Sequence, residues 1–123
     1  RPTKRIVDAV RAAGIDVPII GFPRGAGTLY PRYARETGVT AIAVDTGVDP
    51  AWIQSVLPAG MPVQGHLDPS VLRAGGAALD GEVDRLLDQW AGRPHIFNLG
   101  HGITPDVPVA HVEQLLARIR DRS

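Results

Sequence analysis

Residues 95–102 read HIFNLGHG, an apolar run that ends in a histidine between two glycines. The run over 95–99 predicts a buried β-strand, because it is short and apolar and glycine follows it at once. Glycine has no Cβ, so the backbone there can turn sharply and another group can approach closely. Histidine as a residue type titrates near neutral pH and can donate or accept a hydrogen bond. Because α/β proteins build their sites where strands end, His101 is the first candidate site residue, with a loop-packing histidine as the alternative.

Apolar runs of this kind alternate with helical patterns along the chain. Further strands are predicted at 17–22, 40–44 and 63–66. Helices are predicted at 4–13, 28–37, 50–56, 79–90 and 109–119. The alternation predicts βα units, with about four parallel strands in a single α/β segment that spans 1–123. Two architectures fit this pattern: a small doubly wound sheet, or half of a (β/α)8 barrel, since a complete barrel needs about 250 residues.

Local signals set expectations for the ends and faces of the helices. Thr28 is a predicted N-cap, and Asp49 followed by Pro50 is another. Asp68 also stands before a proline, where it is predicted to brace a turn. In the last helix, helical spacing predicts that four apolar residues face inward: Val112, Leu115, Leu116 and Ile119.

The composition excludes several classes of function. The chain has 123 residues with 13 basic and 13 acidic side chains, so neither a nucleic-acid surface nor a membrane surface is predicted. It has no cysteine, which excludes a disulfide, a cysteine nucleophile and a thiolate metal site within these residues. No apolar run reaches membrane-spanning length and the opening RPTK is not a signal peptide, so we expect a cytoplasmic protein. Since the first residues already have a helical pattern, we expect the sequence to begin inside an element.

The segments that follow the four predicted strands are chemically rich. Each carries glycine, charge or imidazole, and they include Arg24, Asp45, His66 and His101. The connections at the opposite ends of the strands are ordinary short turns, at 13–16, 38–39, 59–61 and 92–94. This asymmetry is typical of the active-site rim of a barrel. Arg24 could pair with the carboxylates of an anionic substrate or lie solvated in its loop. Asp45 could line the rim or accept hydrogen bonds from backbone amides.

Other conspicuous residues are predicted to have structural roles. The glycine-rich segment 21–27 lacks the lysine and serine or threonine that end a nucleotide-binding loop, so phosphate binding is not favoured. His95 begins a strand and His111 lies in a helix, and we interpret both as structural. Trp52 and Trp90 are predicted to anchor the core or an interface.

Several of these segments together resemble a known family. The resemblance rests on linked motifs in the family's order: ETG at 36–38 leading to VD at 44–45, VQGHLDP at 63–69, and FNLGHGI at 97–103 with PD at 105–106 and proline at 108. On these motifs, residues 17–119 resemble the C-terminal part of uroporphyrinogen decarboxylase, whose fold is a (β/α)8 barrel. One position departs from the family pattern, since His66 stands where the family usually has asparagine.

The resemblance implies an activity. The family removes carbon dioxide from the four acetate side chains of uroporphyrinogen III, giving coproporphyrinogen III in haem biosynthesis, with no metal and no organic cofactor. The reaction is usually drawn as protonation of a pyrrole followed by loss of carbon dioxide. In such an enzyme His101 would bind or orient the substrate. Arg24, Asp45 and His66 are further candidate substrate-binding residues.

The resemblance also implies that the main catalytic groups lie outside these residues. The family's arginine-rich segment, its pyrrole-binding aspartate, its tyrosine and its serine precede the matching stretch, so no catalytic residue is assigned within 1–123. We therefore expect residues 1–123 to need the N-terminal half of the barrel as a partner and to be inactive alone. The complete enzyme is expected to form a homodimer, as the family does.

Two other classes of function stay open at this point. A zinc-dependent corrinoid or thiol methyltransferase of the same superfamily would use cysteine among its metal ligands, which this chain lacks. A small non-catalytic α/β domain of the response-regulator kind would need clustered aspartates and a lysine at its strand ends. Lys4 is the only lysine and lies in the first predicted helix.

Overall fold

Six α-helices and four short β-strands make up the fold, and the computed structural model describes residues 2–123. The helices are α1 (Pro2–Ala12), α2 (Tyr30–Glu36), α3 (Pro50–Val56), α4 (Pro69–Ala74), α5 (Gly76–Gln89) and α6 (Val109–Asp121). The strands are β1 (Ile20–Gly21), β2 (Ala41–Ala43), β3 (Val63–Gln64) and β4 (His95–Ile96), and a 3-10 turn (Gly27–Leu29) precedes α2. The predicted α/β alternation is therefore confirmed.

The four strands form one sheet in the order β1-β2-β3-β4, and every neighbouring pair is parallel. Each strand therefore lies beside the next strand in the sequence, as in a (β/α)8 barrel. A doubly wound sheet would instead reverse its strand order at a switch point. Among the two predicted architectures, the structure has the topology of the barrel segment.

One face of the sheet packs against the helices and forms the core. The register places Gly21, Ile42, Val63 and His95 side by side, and parallel partners point to the same face. Ile42 and Val63 are fully buried. The helices cover them with a continuous cluster of buried side chains: Tyr30, Ala34, Ile53, Leu57, Leu79, Val83, Leu86 and Trp90.

The other face of the sheet is open. We call this the open face, and define it by Ile20, Phe22, Ala43, Gln64 and Ile96, which alternate with the core residues along the strands. The large apolar side chains on it are 43–44% exposed. In a closed barrel such a face is filled by side chains from the strands opposite.

Two helices begin at an aspartate followed by proline. Asp49 caps α3 by accepting a hydrogen bond from the Ala51 amide at 3.0 Å, as predicted. Asp68 caps α4 in the same way through the Ser70 amide at 2.8 Å. The prediction that Asp68 merely braces a turn was therefore incomplete, because a six-residue helix follows it.

Two further local predictions were wrong. Thr28 does not cap α2, because it lies inside the 3-10 turn and the residue at the N-cap position is Leu29, whose side chain makes no capping hydrogen bond. Leu116 does not face inward, because it is 43% exposed whereas its neighbour Leu115 is buried. Helical spacing places both leucines near the apolar stripe, but only Leu115 belongs to the buried core cluster.

Candidate functional site

His101 lies in the loop after β4, at the carboxyl end of the sheet. Its side chain is exposed, and its one hydrogen-bond contact among residues 2–123 is within its own loop, from Nδ1 to the Gly102 carbonyl at 3.3 Å. The imidazole lines a concavity of about 560 Å³ that begins on the open face of the sheet. A side chain that can donate or accept a hydrogen bond thus borders a hollow at the carboxyl end of the sheet.

The walls of this concavity are mostly apolar. Ile20, Phe22 and Ala43 come from the open face, and Ile103 comes from the loop that carries His101. Two side-chain amides join His101 there: Gln64 and Asn98. An apolar hollow with a few polar groups is the usual form of a small-molecule site, and these groups can bind carboxylate or amine groups of a ligand.

Gln64 and Asn98 are site residues that the sequence analysis did not single out. Gln64 lies in β3, and Asn98 lies two residues beyond the end of β4. Because successive side chains of a strand point to opposite faces, both residues belong to the open face. The available signal was a polar side chain inside an otherwise apolar run. Asn98 also caps its own strand end, because its Oδ1 accepts a hydrogen bond from the Leu99 amide at 2.8 Å.

Asp45 connects the loops after β1 and β2. Its Oδ2 accepts a hydrogen bond from the Gly25 amide at 2.7 Å, and its own amide donates to the Tyr30 hydroxyl at 3.2 Å. Burial raises the pKa of Tyr30 to about 12, so the hydroxyl stays protonated. Asp45 borders a second hollow of about 390 Å³ and does not line the concavity of His101. Arg24 is exposed and borders neither hollow.

His66 lies inside the protein and does not line the concavity. It is 4% exposed, and its ring contacts the edge of the Trp90 indole, with the centroids 5.8 Å apart. Among the described residues, neither ring nitrogen has a hydrogen-bond partner, although the Thr46 carbonyl is close. Burial lowers the pKa of His66, so the imidazole is held neutral. The structure thus separates His66 from His101.

The remaining histidines connect structural elements, as predicted. His95 Nε2 lies 2.5 Å from the Gly65 carbonyl, which ties β4 to the segment after β3. His111 Nδ1 lies 2.9 Å from the Leu72 carbonyl and ties α6 to α4. The amide hydrogen bond from Ser70 lowers the pKa of Asp68, and the nearby His101 imidazole lowers it further.

Within residues 2–123, no three His, Asp or Glu side chains converge as a metal site would require. None of the helices in that range has the length and apolar character needed to cross a bilayer.

Comparison with known proteins identifies the family. The sequence model of the family described as Uroporphyrinogen decarboxylase (URO-D) matches residues 1–122. This chain belongs to the uroporphyrinogen decarboxylase family. The predicted resemblance is confirmed, and the motif that carries His101 lies within the match.

Curated members of the uroporphyrinogen decarboxylase family align over nearly the whole chain. The one from Hyphomonas neptunium is 59% identical over 120 residues, which cover 98% of this chain and 35% of that relative. The one from Sphingopyxis alaskensis is 57% identical and the one from Granulibacter bethesdensis is 53% identical, each over 97% of this chain and 35% of its own length. This chain therefore spans about a third of the length of the curated relatives that it matches.

Proposed function

We propose that residues 1–123 form the C-terminal strands and helices of the barrel of a uroporphyrinogen decarboxylase. The observation that carries the proposal is His101 at the carboxyl end of a sequential parallel sheet, in a chain 59% identical to a uroporphyrinogen decarboxylase. In a (β/α)8 enzyme the substrate binds at that end of the strands.

The concavity beside His101 is the proposed substrate-binding surface of these residues. Uroporphyrinogen presents an apolar macrocycle edged with carboxylates. Phe22 and Ile103 offer apolar contact for the ring, whereas His101, Gln64 and Asn98 offer polar groups for its edge. An imidazolium beside a substrate carboxylate would form a charge-assisted hydrogen bond. Arg24 and Asp45 lie outside the concavity. Asp45 fixes the loop after β1, which carries Arg24, by accepting a hydrogen bond from the Gly25 amide.

The proposed reaction is a decarboxylation without cofactor. A proton is added to a pyrrole carbon, and the bond between the acetate methylene and its carboxylate then breaks. Carbon dioxide leaves and the bonding electrons pass into the protonated ring, which leaves an exocyclic methylene. A second proton converts this methylene to a methyl group, and the ring carbon then loses the proton that it gained first, so each acetate consumes one net proton. His101 alone cannot supply the electrostatic stabilisation that this sequence of steps needs. The proton donor and the remaining charged groups are assigned to the rest of the polypeptide.

The rest of the polypeptide is also the proposed partner of the open face. Ile20, Phe22 and Ile96 are large apolar side chains left uncovered, and β1 and β4 are sheet edges with unpaired backbone groups. Closing the barrel would bury both features. The complete enzyme is proposed to be a cytoplasmic homodimer, and residues 1–123 alone are proposed to be inactive.

A hybrid polypeptide tests this proposal. In it, residues 1–123 replace the matching segment of the Hyphomonas neptunium relative; we call this protein the hybrid enzyme. Incubation with uroporphyrinogen III should yield coproporphyrinogen III, detected by chromatography of the oxidised porphyrins. The matched controls are the unmodified relative, which should be active, and residues 1–123 alone, which should be inactive.

Each result of the hybrid experiment bears on a different part of the proposal. Turnover comparable with that of the unmodified relative would support both the barrel assignment and the activity. A folded hybrid enzyme without turnover would contradict the decarboxylase function of these residues. A hybrid that does not fold, shown by loss of its circular-dichroism spectrum, would contradict the claim that this chain completes the barrel.

A further inference from the structure

The loop that carries His101 rests on the segment after β2. Gly100 is buried, and its α-carbon packs directly against Thr46. A Cβ added at Gly100 would lie 2.5 Å from the Thr46 amide nitrogen and 2.8 Å from its Cα, and closer still to its hydroxyl. Real Cβ atoms do not approach other atoms so closely, so any side chain at position 100 would push the two segments apart.

A second contact holds Gly100 from the neighbouring strand. Its amide donates a hydrogen bond to the Leu67 carbonyl at 2.8 Å, just beyond the parallel bridge between Leu67 and Leu99. Gly100 is therefore held by the segment after β3 through its amide and by the segment after β2 through its α-carbon. The residues that follow it, 101–106, are all exposed.

The Thr46 side chain contributes by its shape and not by a hydrogen bond. Its hydroxyl is buried and has no hydrogen-bond partner among residues 2–123. A buried hydroxyl without a partner gives no stabilisation and leaves its desolvation uncompensated. Because this atom is also inaccessible to solvent, it does not reach a molecule bound in the concavity. What Thr46 supplies is the surface on which Gly100 rests.

His101 follows Gly100 directly, and its side chain is exposed. Among residues 2–123 the imidazole has one hydrogen-bond contact, with the Gly102 carbonyl of its own loop. We propose that Thr46 and Gly100 are positioning residues that place the His101 imidazole against the substrate. The proposal rests on the proposed function, in which His101 contacts the porphyrinogen. A displacement of about 1 Å at such a group can lower a rate by about 100-fold.

A double-mutant cycle in the hybrid enzyme tests this proposal. The variants are Gly100→Ala, His101→Ala and the combination of both, and the measured quantity is kcat/KM for uroporphyrinogen III. Gly100→Ala should lower kcat/KM by about 10- to 100-fold. In the His101→Ala background the same change should cost less than about twofold, because the group that Gly100 positions is then already gone.

Gly47→Ala is the matched control. Gly47 adjoins Thr46 in the sequence and does not line the concavity of His101, and a Cβ added there would meet nothing within 4 Å. This variant should therefore keep kcat/KM within about twofold of the unsubstituted hybrid enzyme. An equal loss in Gly47→Ala and Gly100→Ala would overturn the proposal, since it would show that these segments tolerate no added methyl group for reasons unrelated to the contact between Thr46 and Gly100.

Two Thr46 variants keep the proposal testable if Gly100→Ala fails to fold. Thr46→Val preserves the shape of the side chain and removes the hydroxyl, so its kcat/KM should stay within about twofold. Thr46→Ala removes the γ atoms of the side chain, of which the hydroxyl oxygen is the atom nearest to Gly100. It should lower kcat/KM by roughly tenfold, again only when His101 is present. Equal losses of kcat/KM in Thr46→Val and Thr46→Ala would overturn the proposal, because removal of the hydroxyl would then account for the whole loss.

The outcomes separate this inference from the proposed function. No turnover by the unsubstituted hybrid enzyme contradicts the proposed function and removes the inference with it. If the unsubstituted hybrid enzyme is active but the losses of kcat/KM in Gly100→Ala and His101→Ala multiply in the double variant, only the inference is contradicted. Gly100 would then act independently of His101. Melting temperatures of all variants, which should agree within a few degrees, exclude unfolding as the cause of a rate loss.

Discussion

The imidazole of His95 stacks on the indole of Trp90, with the ring centroids 5.6 Å apart and the ring planes 20° from parallel. His66 contacts the same indole through its edge, at 5.8 Å. The indole thus lies between the two histidines and joins the end of α5 to β4 and to the segment after β3. Burial lowers the pKa of both imidazoles and so favours their neutral forms.

We predict that acid destabilises the fold, because His66 is buried and His95 is half-buried. In the unfolded chain an imidazole gains its proton as the pH falls through about 6.5, whereas in the folded protein it resists protonation. Below that pH the unfolded state therefore binds more protons, and the free energy of unfolding decreases until the folded-state pKa is reached. Urea unfolding of the hybrid enzyme from about pH 7.5 to about pH 5 should show this decrease.

His66→Asn and His66→Phe are the variants that isolate the His66 contribution. The charges around His66 partly offset one another, since Arg85 and His95 lower its pKa and Glu82 raises it. Both substitutions remove the titrating imidazole: asparagine replaces it with a small amide, and phenylalanine replaces it with an apolar ring. Both should therefore make the free energy of unfolding depend less steeply on pH. An unchanged slope in both variants would contradict the assignment of His66 as a buried neutral imidazole.

A second prediction concerns His101 itself. Since the imidazole is exposed and its one hydrogen-bond contact among residues 2–123 is within its own loop, His101→Ala should leave the melting temperature of the hybrid enzyme unchanged. Loss of one hydrogen bond to a charged group corresponds to about 1.5–3 kcal/mol, so kcat/KM should fall by about 10- to 150-fold. Unchanged kinetics would return His101 to a structural role in its loop.

A third prediction concerns residues 1–123 expressed alone. Their open face should drive self-association, because Phe22 and Ile96 present uncovered apolar surface beside unpaired sheet edges. Sedimentation equilibrium should show species larger than the 13.1 kDa monomer. The double substitution of Phe22 and Ile96 by Asp should shift the distribution towards monomer.

Ile6→Asp is the control for that shift. Ile6 is 65% exposed but lies on α1, away from the open face, so its substitution should leave the association unchanged. A well-folded monomer of the unsubstituted chain would contradict the account of an open barrel face.

A fourth prediction concerns the link between the loops after β1 and β2. Asp45→Ala removes the acceptor for the Gly25 amide, which should cost about 1–2 kcal/mol of the free energy of unfolding of the hybrid enzyme. Hydrogen exchange at the Gly25 amide should accelerate at the same time. Asp16→Ala is the matched control, because the Asp16 side chain is fully exposed and should change stability by less than about 0.5 kcal/mol. Unchanged exchange at Gly25 would contradict the role of Asp45.

Much of the fold could be predicted because its signals are local. Asp49 followed by Pro50 fixed the start of α3, and the bounds of that helix match the structure. The same pair of residue types, Asp68 and Pro69, begins α4, so the signal for the missed helix was present in the sequence. The predicted N-cap at Thr28 was wrong because a threonine side chain can cap a helix only where the α-helix begins at the next residue. Here Thr28 lies inside a 3-10 turn that precedes the helix.

The candidate site was harder to predict because it depends on contacts between distant segments. His101 could be found from its glycine neighbours and its strand. No local pattern marked Thr46 as a candidate site residue. Its proposed role depends on its contact with Gly100, which is more than fifty residues away in the sequence. His66 follows a strand as His101 does, yet its ring turns to the Trp90 side of the sheet. Position after a strand predicts proximity to the rim, but the local backbone decides which face a side chain joins.

The most direct test of the account is the carbon dioxide that the hybrid enzyme releases from uroporphyrinogen III. The account predicts four molecules of carbon dioxide for each porphyrinogen converted, with none from residues 1–123 alone. A folded hybrid enzyme that releases no carbon dioxide, under conditions in which the unmodified relative does, would contradict the assignment of this chain to the decarboxylase active site.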